Sequence, residues 1–198
     1  SNDAVKLAVS MININEGSVK STIAFYNYGT VGQNEIDHCV GVNNYDDMVI
    51  PEMEFTSNDR MVAFGDTKAV IFEGAQKPQA IAEIPMDEKT KSIFYNEHYI
   101  GIVTGNEDEA VTNHLAVYDE NGKLVMEKDF GLDYSSIEFL TNNEICIRNA
   151  NVCDIYTVHG VYKFHHEFEE ELFEIIPGKL KLNYTLVLKD TTQRIRLK

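Results

Sequence analysis

Tryptophan is absent from this chain, basic residues are few, there are only three cysteines, and no apolar run is long enough to cross a bilayer. Each shortage narrows the reading. The 17 Lys and Arg face 32 Asp and Glu, for a formal net charge of −15. With no basic stripe to offset it, that field repels a phosphate backbone, so nucleic acid is not an expected partner. A solvated surface accounts for the acidity; recruitment of cations or basic partners is the sharper alternative, and no local motif supports it. A membrane helix needs about 20 consecutive apolar residues, and no such span occurs in this chain. Nor do the first residues show the basic stretch and apolar core of a signal peptide. The residues given read as a soluble segment.

Cys39, Cys146 and Cys153 form no framework of regularly spaced pairs. Cys146 and Cys153 flank the turn Asn149-Ala150-Asn151 and are placed to face each other across a hairpin. That leaves open a bridge or two reduced, half-buried thiols. Catalytic signatures are also lacking: there is no Gly-x-Ser-x-Gly elbow and no glycine-rich phosphate loop.

What the chain does have is a recurring phrase, an alternating apolar run ending in an aromatic, then a turn, then a second alternating run. It reads Ile23-Ala24-Phe25-Tyr26, Val70-Ile71-Phe72, Leu115-Ala116-Val117-Tyr118 and Asp154-Ile155-Tyr156. The aromatics Tyr26, Phe72, Tyr118 and Tyr156 lie 46, 46 and 38 residues apart, the length of one four-stranded blade. The chain is therefore expected to be all-β, a β-propeller or partial β-propeller of four-stranded antiparallel blades. Short strands rich in Val, Ile, Phe and Tyr, punctuated by Asn, Asp and Gly, suit half-buried antiparallel sheets. Asn121-Gly122 is the clearest hairpin turn. The stretch from Lys163 to Glu174 comes nearest to a helix, but has too few apolar positions for a buried helical face.

About five blades are expected in a single domain over 1–198: an incomplete blade over 1–49, full blades over 50–85, 86–130 and 131–168, and an incomplete blade over 169–198. The first lacks its first strand and the last its fourth. The missing strands differ, so the two ends do not complete one shared blade, and the chain is expected to be the C-terminal part of a larger propeller. Exposed blade edges favour association, so a homodimer is a possible partner state.

The residues Lys6-Leu7-Ala8-Val9-Ser10, the run from Gly17 to Gly29 with Val31-Gly32-Gln33, and Ser92-Ile93-Phe94-Tyr95-Asn96 with Tyr99-Ile100-Gly101 carry a resemblance. It continues through Val117-Tyr118-Asp119 with Asn121-Gly122-Lys123, Ile155-Tyr156 with the run from His159 to Phe164, and Ile195-Arg196-Leu197-Lys198. Across its whole length the chain resembles the C-terminal half of an uncharacterised family of membrane-anchored β-propeller proteins from Clostridia-type Gram-positive bacteria. The resemblance implies an extracytoplasmic location, with an N-terminal transmembrane anchor outside this chain, and supplies no catalytic residues. Ser1-Asn2-Asp3-Ala4 departs from the family's Ser-x-Asp-Gly turn by carrying Ala4 in place of Gly, and Ser1-Asn2 reads equally as a remnant of tag removal.

No catalytic, cofactor or metal residues are assigned. Adjacent residues on a strand point to opposite faces, so His165-His166-Glu167 cannot chelate one ion simply; with Glu169-Glu170-Glu171 they read as a solvated loop between blades. The same reasoning separates His38 from Cys39. Asn106-Glu107-Asp108-Glu109 lacks the spacing of a calcium loop and reads as a hairpin tip. The four recurring aromatics read as packing between blades rather than a stacking platform, a reading the lack of Trp favours.

The expected function is a non-catalytic binding or scaffold module for a protein, peptide or glycan, with the loop from Asn27 to Asp47, long for a strand connection, the first place to look for the site. The alternative is a quinone-dependent or lyase-type propeller enzyme whose active residues lie in the missing N-terminal half. A third reading is an assembly or sensor domain whose ring closes between subunits.

Overall fold

In the computed structural model, residues 1–27, 38–105 and 113–197 are described. Alternating apolar residues flanked by turn formers give strands throughout, arranged in five antiparallel sheets. The first contains β1 (Lys6–Asn15), β2 (Ser18–Asn27) and β3 (His38–Asp46). The second contains β4 (Glu52–Ser57), β5 (Arg60–Phe64), β6 (Lys68–Glu73) and β7 (Gln79–Pro85). The third holds β8 (Thr90–Tyr95), β9 (Tyr99–Gly105), β10 (Asn113–Asp119) and β11 (Leu124–Phe130). The fourth holds β12 (Ser136–Phe139), β13 (Glu144–Asn149), β14 (Val152–Thr157) and β15 (Tyr162–Glu167). The fifth is three-stranded, with β16 (Leu172–Pro177), β17 (Asn183–Leu188) and β18 (Thr192–Arg196). In every sheet the strand order follows the chain order, the meander of a propeller blade.

The chain divides into two compact units, Ser1–Glu88 with Glu120–Lys123, and Lys89–Asp119 with Leu124–Lys198. In the first, Ile23 and Phe25 of β2 pack with Met61, Val70 and Phe72 of the second sheet, and the rings of Phe25 and Phe72 lie 5.2 Å apart. The second unit has two clusters. One joins Phe94, Val103, Leu115 and Val117 of the third sheet to Ile145, Ile147 and Tyr156 of the fourth. The other joins Cys146, Cys153 and Ile155 of the fourth sheet to Ile175, Tyr184 and Leu186 of the fifth. The middle strands of each sheet carry these cores because both of their faces are covered.

A β-bulge sets the phase of the blades. Register shifts occur between Phe25 and Tyr26, Ile71 and Phe72, Val117 and Tyr118, and Ile155 and Tyr156. Each lies immediately before the aromatic of the repeated phrase, in the pairing of the third strand with the fourth. A bulge leaves one residue of the partner strand unpaired and increases the local twist. Its presence between β2 and β3 makes them the third and fourth strands of a blade, so the first sheet lacks a first strand among the described residues. The fifth sheet has the opposite phase: its shift falls between β16 and β17, as in the first pair of the second and third sheets. It therefore contains first, second and third strands. Near the start, Ala4 has φ 56°, the left-handed conformation that glycine adopts without steric cost.

Two sequence expectations need correction. His165-His166-Glu167 is not a loop but the end of β15, paired with Val152, Cys153 and Asp154 of β14; the aromatic Phe164 and the apolar rings beside His166 favour the strand. Glu169-Glu170-Glu171 does lie in the connection between β15 and β16. The segment from Asn27 to Asp47 is not one long loop, because residues 38–46 form β3 against β2; residues 28–37 lie outside the described residues.

Candidate functional site

Aligning the repeats by their bulges compares side chains that occupy the same place in successive blades. The residue bypassed in the fourth strand is Val40, Ile81 and Val125, and then Lys163 in β15. The second-strand residue opposite the phrase aromatic is Leu7, Met61, Ile100 and Ile145. Its counterpart in the fifth sheet is Tyr184, opposite Ile195. The residue preceding it is Lys6, Arg60, Tyr99 and Glu144 in the first four sheets.

Where the third and fourth sheets meet, these places hold Tyr99, Val125 and Ile145, which belong to one apolar cluster. Where the fourth and fifth meet, they hold Glu144, Lys163 and Tyr184, which bond to one another. Lys163 Nζ donates to Glu144 Oε1, and Tyr184 Oη donates to Glu144 Oε2. Lys163 Nζ also lies 3.4 Å from Tyr184 Oη. The junction between the fourth and fifth sheets is thus ionic where that between the third and fourth is apolar, and Lys163 and Tyr184 stand in places that are apolar in the preceding blades.

The local structure explains the convergence. Glu144 begins β13 after the Thr141-Asn142-Asn143 turn, with Asn143 at φ 61°. The bulge aims Lys163 out of the ordinary pleat. Tyr184 is the second residue of β17, after the 178–182 turn where Leu182 has φ 66°. Glu144 and Tyr184 are 8% and 2% exposed, so neither is solvated well enough to stand without its partners. Burial, followed by the hydrogen bond to Glu144, raises the Tyr184 hydroxyl above its ordinary value. Burial acts to lower the Lys163 ammonium, but the hydrogen bond and charge of Glu144 outweigh it and raise the group. Lys163 is thus held as a cation and Tyr184 as a neutral donor.

Glu144 and Lys163 form one wall of a cavity of about 500 Å³ that is also lined by Asn142 and the 178–183 turn with Lys179 and Lys181. A second cavity, about 610 Å³, lies on the other side of the same turn and carries Lys179, Arg194 and Arg196 beside Tyr184 and Thr185. Both volumes are in the range of small-ligand sites. The arrangement can bind and orient an anionic or hydroxyl-bearing group.

The residues singled out from sequence lie elsewhere. His165 Nδ1 is 2.7 Å from Asp154 Oδ1, and His166 sits between the rings of Phe164 and Phe168 at 5.9 and 4.5 Å. Among the described residues, no three His, Cys, Asp or Glu side chains gather closely enough to hold a metal ion. Asn106–Glu109 and the side chain of His38 lie outside the described residues, while Cys39 is exposed. Cys146 and Cys153 are free thiols with Sγ atoms 3.6 Å apart, and both are fully buried rather than half-buried. Phe72 and Tyr156 are buried packing residues, and Tyr26 and Tyr118 are half-buried. The Glu144–Lys163–Tyr184 group was not found from sequence. Its signal was in the repeats, where Lys163 and Tyr184 stand in places that are apolar in the other blades.

Sheet order, bulge phase and repeat length together define a β-propeller fold. The chain belongs to the Family of unknown function (DUF5711), whose model matches residues 1–197. Among solved structures it is similar to Hsv2 of Kluyvelomyces marxianus, at TM-score 0.53 and 9% identity over 90% of this chain and 56% of that one. It is also similar to Kluyveromyces lactis Hsv2, at TM-score 0.52 and 10% identity over 96% of this chain and 60% of that one. At such identities the likeness is one of fold, and this chain spans well under two thirds of either neighbour. Comparison with curated proteins found no match.

Proposed function

We propose that this chain is a non-catalytic binding module whose site is the cavity walled by Glu144 and Lys163, with Tyr184 bonded to Glu144. The bonded ionic group at this junction, where the preceding junction is apolar, supports this reading most directly. A buried ion pair is a poor source of stability compared with well-packed hydrocarbon, so its position beside a cavity favours a role in recognition. Glu144 fixes the lysine and the tyrosine, and the remaining N–H donors of Lys163 are left for a ligand in the cavity. Location outside the cell, on a membrane anchor beyond this chain, rests on the family resemblance and belongs to the same proposal. So does pairing of two copies through the three-stranded sheets, for which light scattering should give a dimer mass.

The test restores the apolar junction. A triple variant, Glu144→Tyr, Lys163→Val and Tyr184→Ile, carries the residues of the preceding junction. It is compared with the natural chain on an immobilised panel of glycans and peptides. Binding by the natural chain that is lost in a folded triple variant is the expected result. Equal binding by both, or none by the natural chain, would refute the proposal.

A further inference from the structure

The two cavities flank one turn, and in a chain with nearly twice as many acidic as basic residues their linings are almost purely cationic. Lys163, Lys179 and Lys181 line one, and Lys179, Arg194 and Arg196 line the other. The only acidic side chain in either lining is Glu144, whose two oxygens are already occupied by Lys163 and Tyr184. A random sample of this chain's charged residues would have the opposite sign, so the field at this turn is a local reversal that focuses anions. Lys179 belongs to both linings, which makes the turn a saddle between two anion-binding halves.

The geometry points to a linear acidic oligosaccharide, carrying carboxylates on successive sugar units, laid across the 178–183 turn; this rests on the binding reading above. Two cationic pockets require at least two anionic groups on one ligand. Amides at Asn142 and Asn183 and the Thr185 hydroxyl provide donors and acceptors for sugar hydroxyls. Leu180, 73% exposed at the tip, gives an apolar contact for a ring face. Arg194 and Arg196 offer the planar fork that matches a carboxylate, while the lysines act as point charges.

The experiment is calorimetric titration of the chain with hexagalacturonate, with maltohexaose as the neutral control and a hexaglutamate peptide as the acidic non-sugar. The variant Lys179→Gln/Arg194→Gln removes exposed charge without touching the core; its thermal melt verifies the fold. Hexagalacturonate should bind, maltohexaose and hexaglutamate should bind at least tenfold more weakly, and the double variant should lose about tenfold or more in affinity. Added salt should weaken binding. If maltohexaose or hexaglutamate binds as well and the double or triple variant abolishes it, the ligand class is wrong while the site stands. If hexagalacturonate does not bind, or the double variant binds it unchanged, the inference is overturned.

Discussion

Tyr184 and Glu144 come from neighbouring blades, 40 residues apart in sequence, and are joined by a buried hydrogen bond from the phenol to the carboxylate. The bond links the second residue of β17 to the first of β13. Glu144→Ala would leave the Lys163 ammonium and the phenol without their acceptor and should destabilise the chain by about 3 kcal/mol. Tyr184→Phe removes one donor and should cost about 1 to 2 kcal/mol. The triple apolar variant should be as stable as the natural chain or more so, because it removes both charges together. Urea denaturation measures all three, and a strongly destabilised triple variant would show that the ionic group is structural.

Alkaline pH should loosen the fold through two tyrosines. Burial, and then the charge of Glu83, pushes Tyr45 up from 10.0 to about 12. Burial, and then Asp154, does the same to Tyr156, also to about 12. A folded-state value above the unfolded one means that the stabilising protonation is fully present below about pH 10 and is lost as pH rises through about 12. Phenolate absorbance should therefore show late-titrating groups, and Tyr45→Phe with Tyr156→Phe should remove two of them while Tyr184, also raised by burial, remains. Ordinary titration of every tyrosine would contradict the burial described.

Thiol chemistry reports on the fourth sheet. The hydrogen bond with Cys146, and then burial, pushes the Cys153 thiol up, and both sulfurs are sealed in the core. Cys39 is exposed. An aromatic disulfide reagent should modify Cys39 alone in the native chain and all three cysteines in urea. Rapid native labelling of Cys146 or Cys153 would mean that the fourth sheet opens readily.

Gly101 has a packing reason. It lies opposite Phe94 across β8 and β9, and a Cβ there would fall 2.2 Å from the Phe94 ring. Gly101→Ala should displace that ring from its cluster and cost about 1 to 3 kcal/mol, measured by thermal or urea unfolding. Ring displacement should be visible in the chemical shifts of Phe139, whose ring centroid is 4.5 Å away.

Blade length, strand order and the incomplete end sheets were legible in the sequence because each depends on local alternation and turn chemistry. The aromatic phrase also marked where the third strand ends, and the bulge before each aromatic gives that mark a geometric cause. The candidate site was not legible in the same way. Glu144, Lys163 and Tyr184 stand on three strands of two blades, so no short motif contains them. Each is also ordinary in isolation: a Glu after a turn, a Lys among aromatics, a Tyr on a strand. They become unusual only beside Tyr99, Val125 and Ile145, once the bulges have fixed the alignment. The histidine pair and the acidic runs were conspicuous in sequence for the opposite reason, since adjacency along the chain is easily seen and on a strand separates side chains.

The most direct measurement is an amide NMR titration of the isotope-labelled chain with hexagalacturonate. The account predicts chemical-shift changes confined to residues 142–144, 163, 178–185 and 194–196, saturating together and absent in Lys179→Gln/Arg194→Gln. Shifts centred on any other part of the chain, or none, would contradict it.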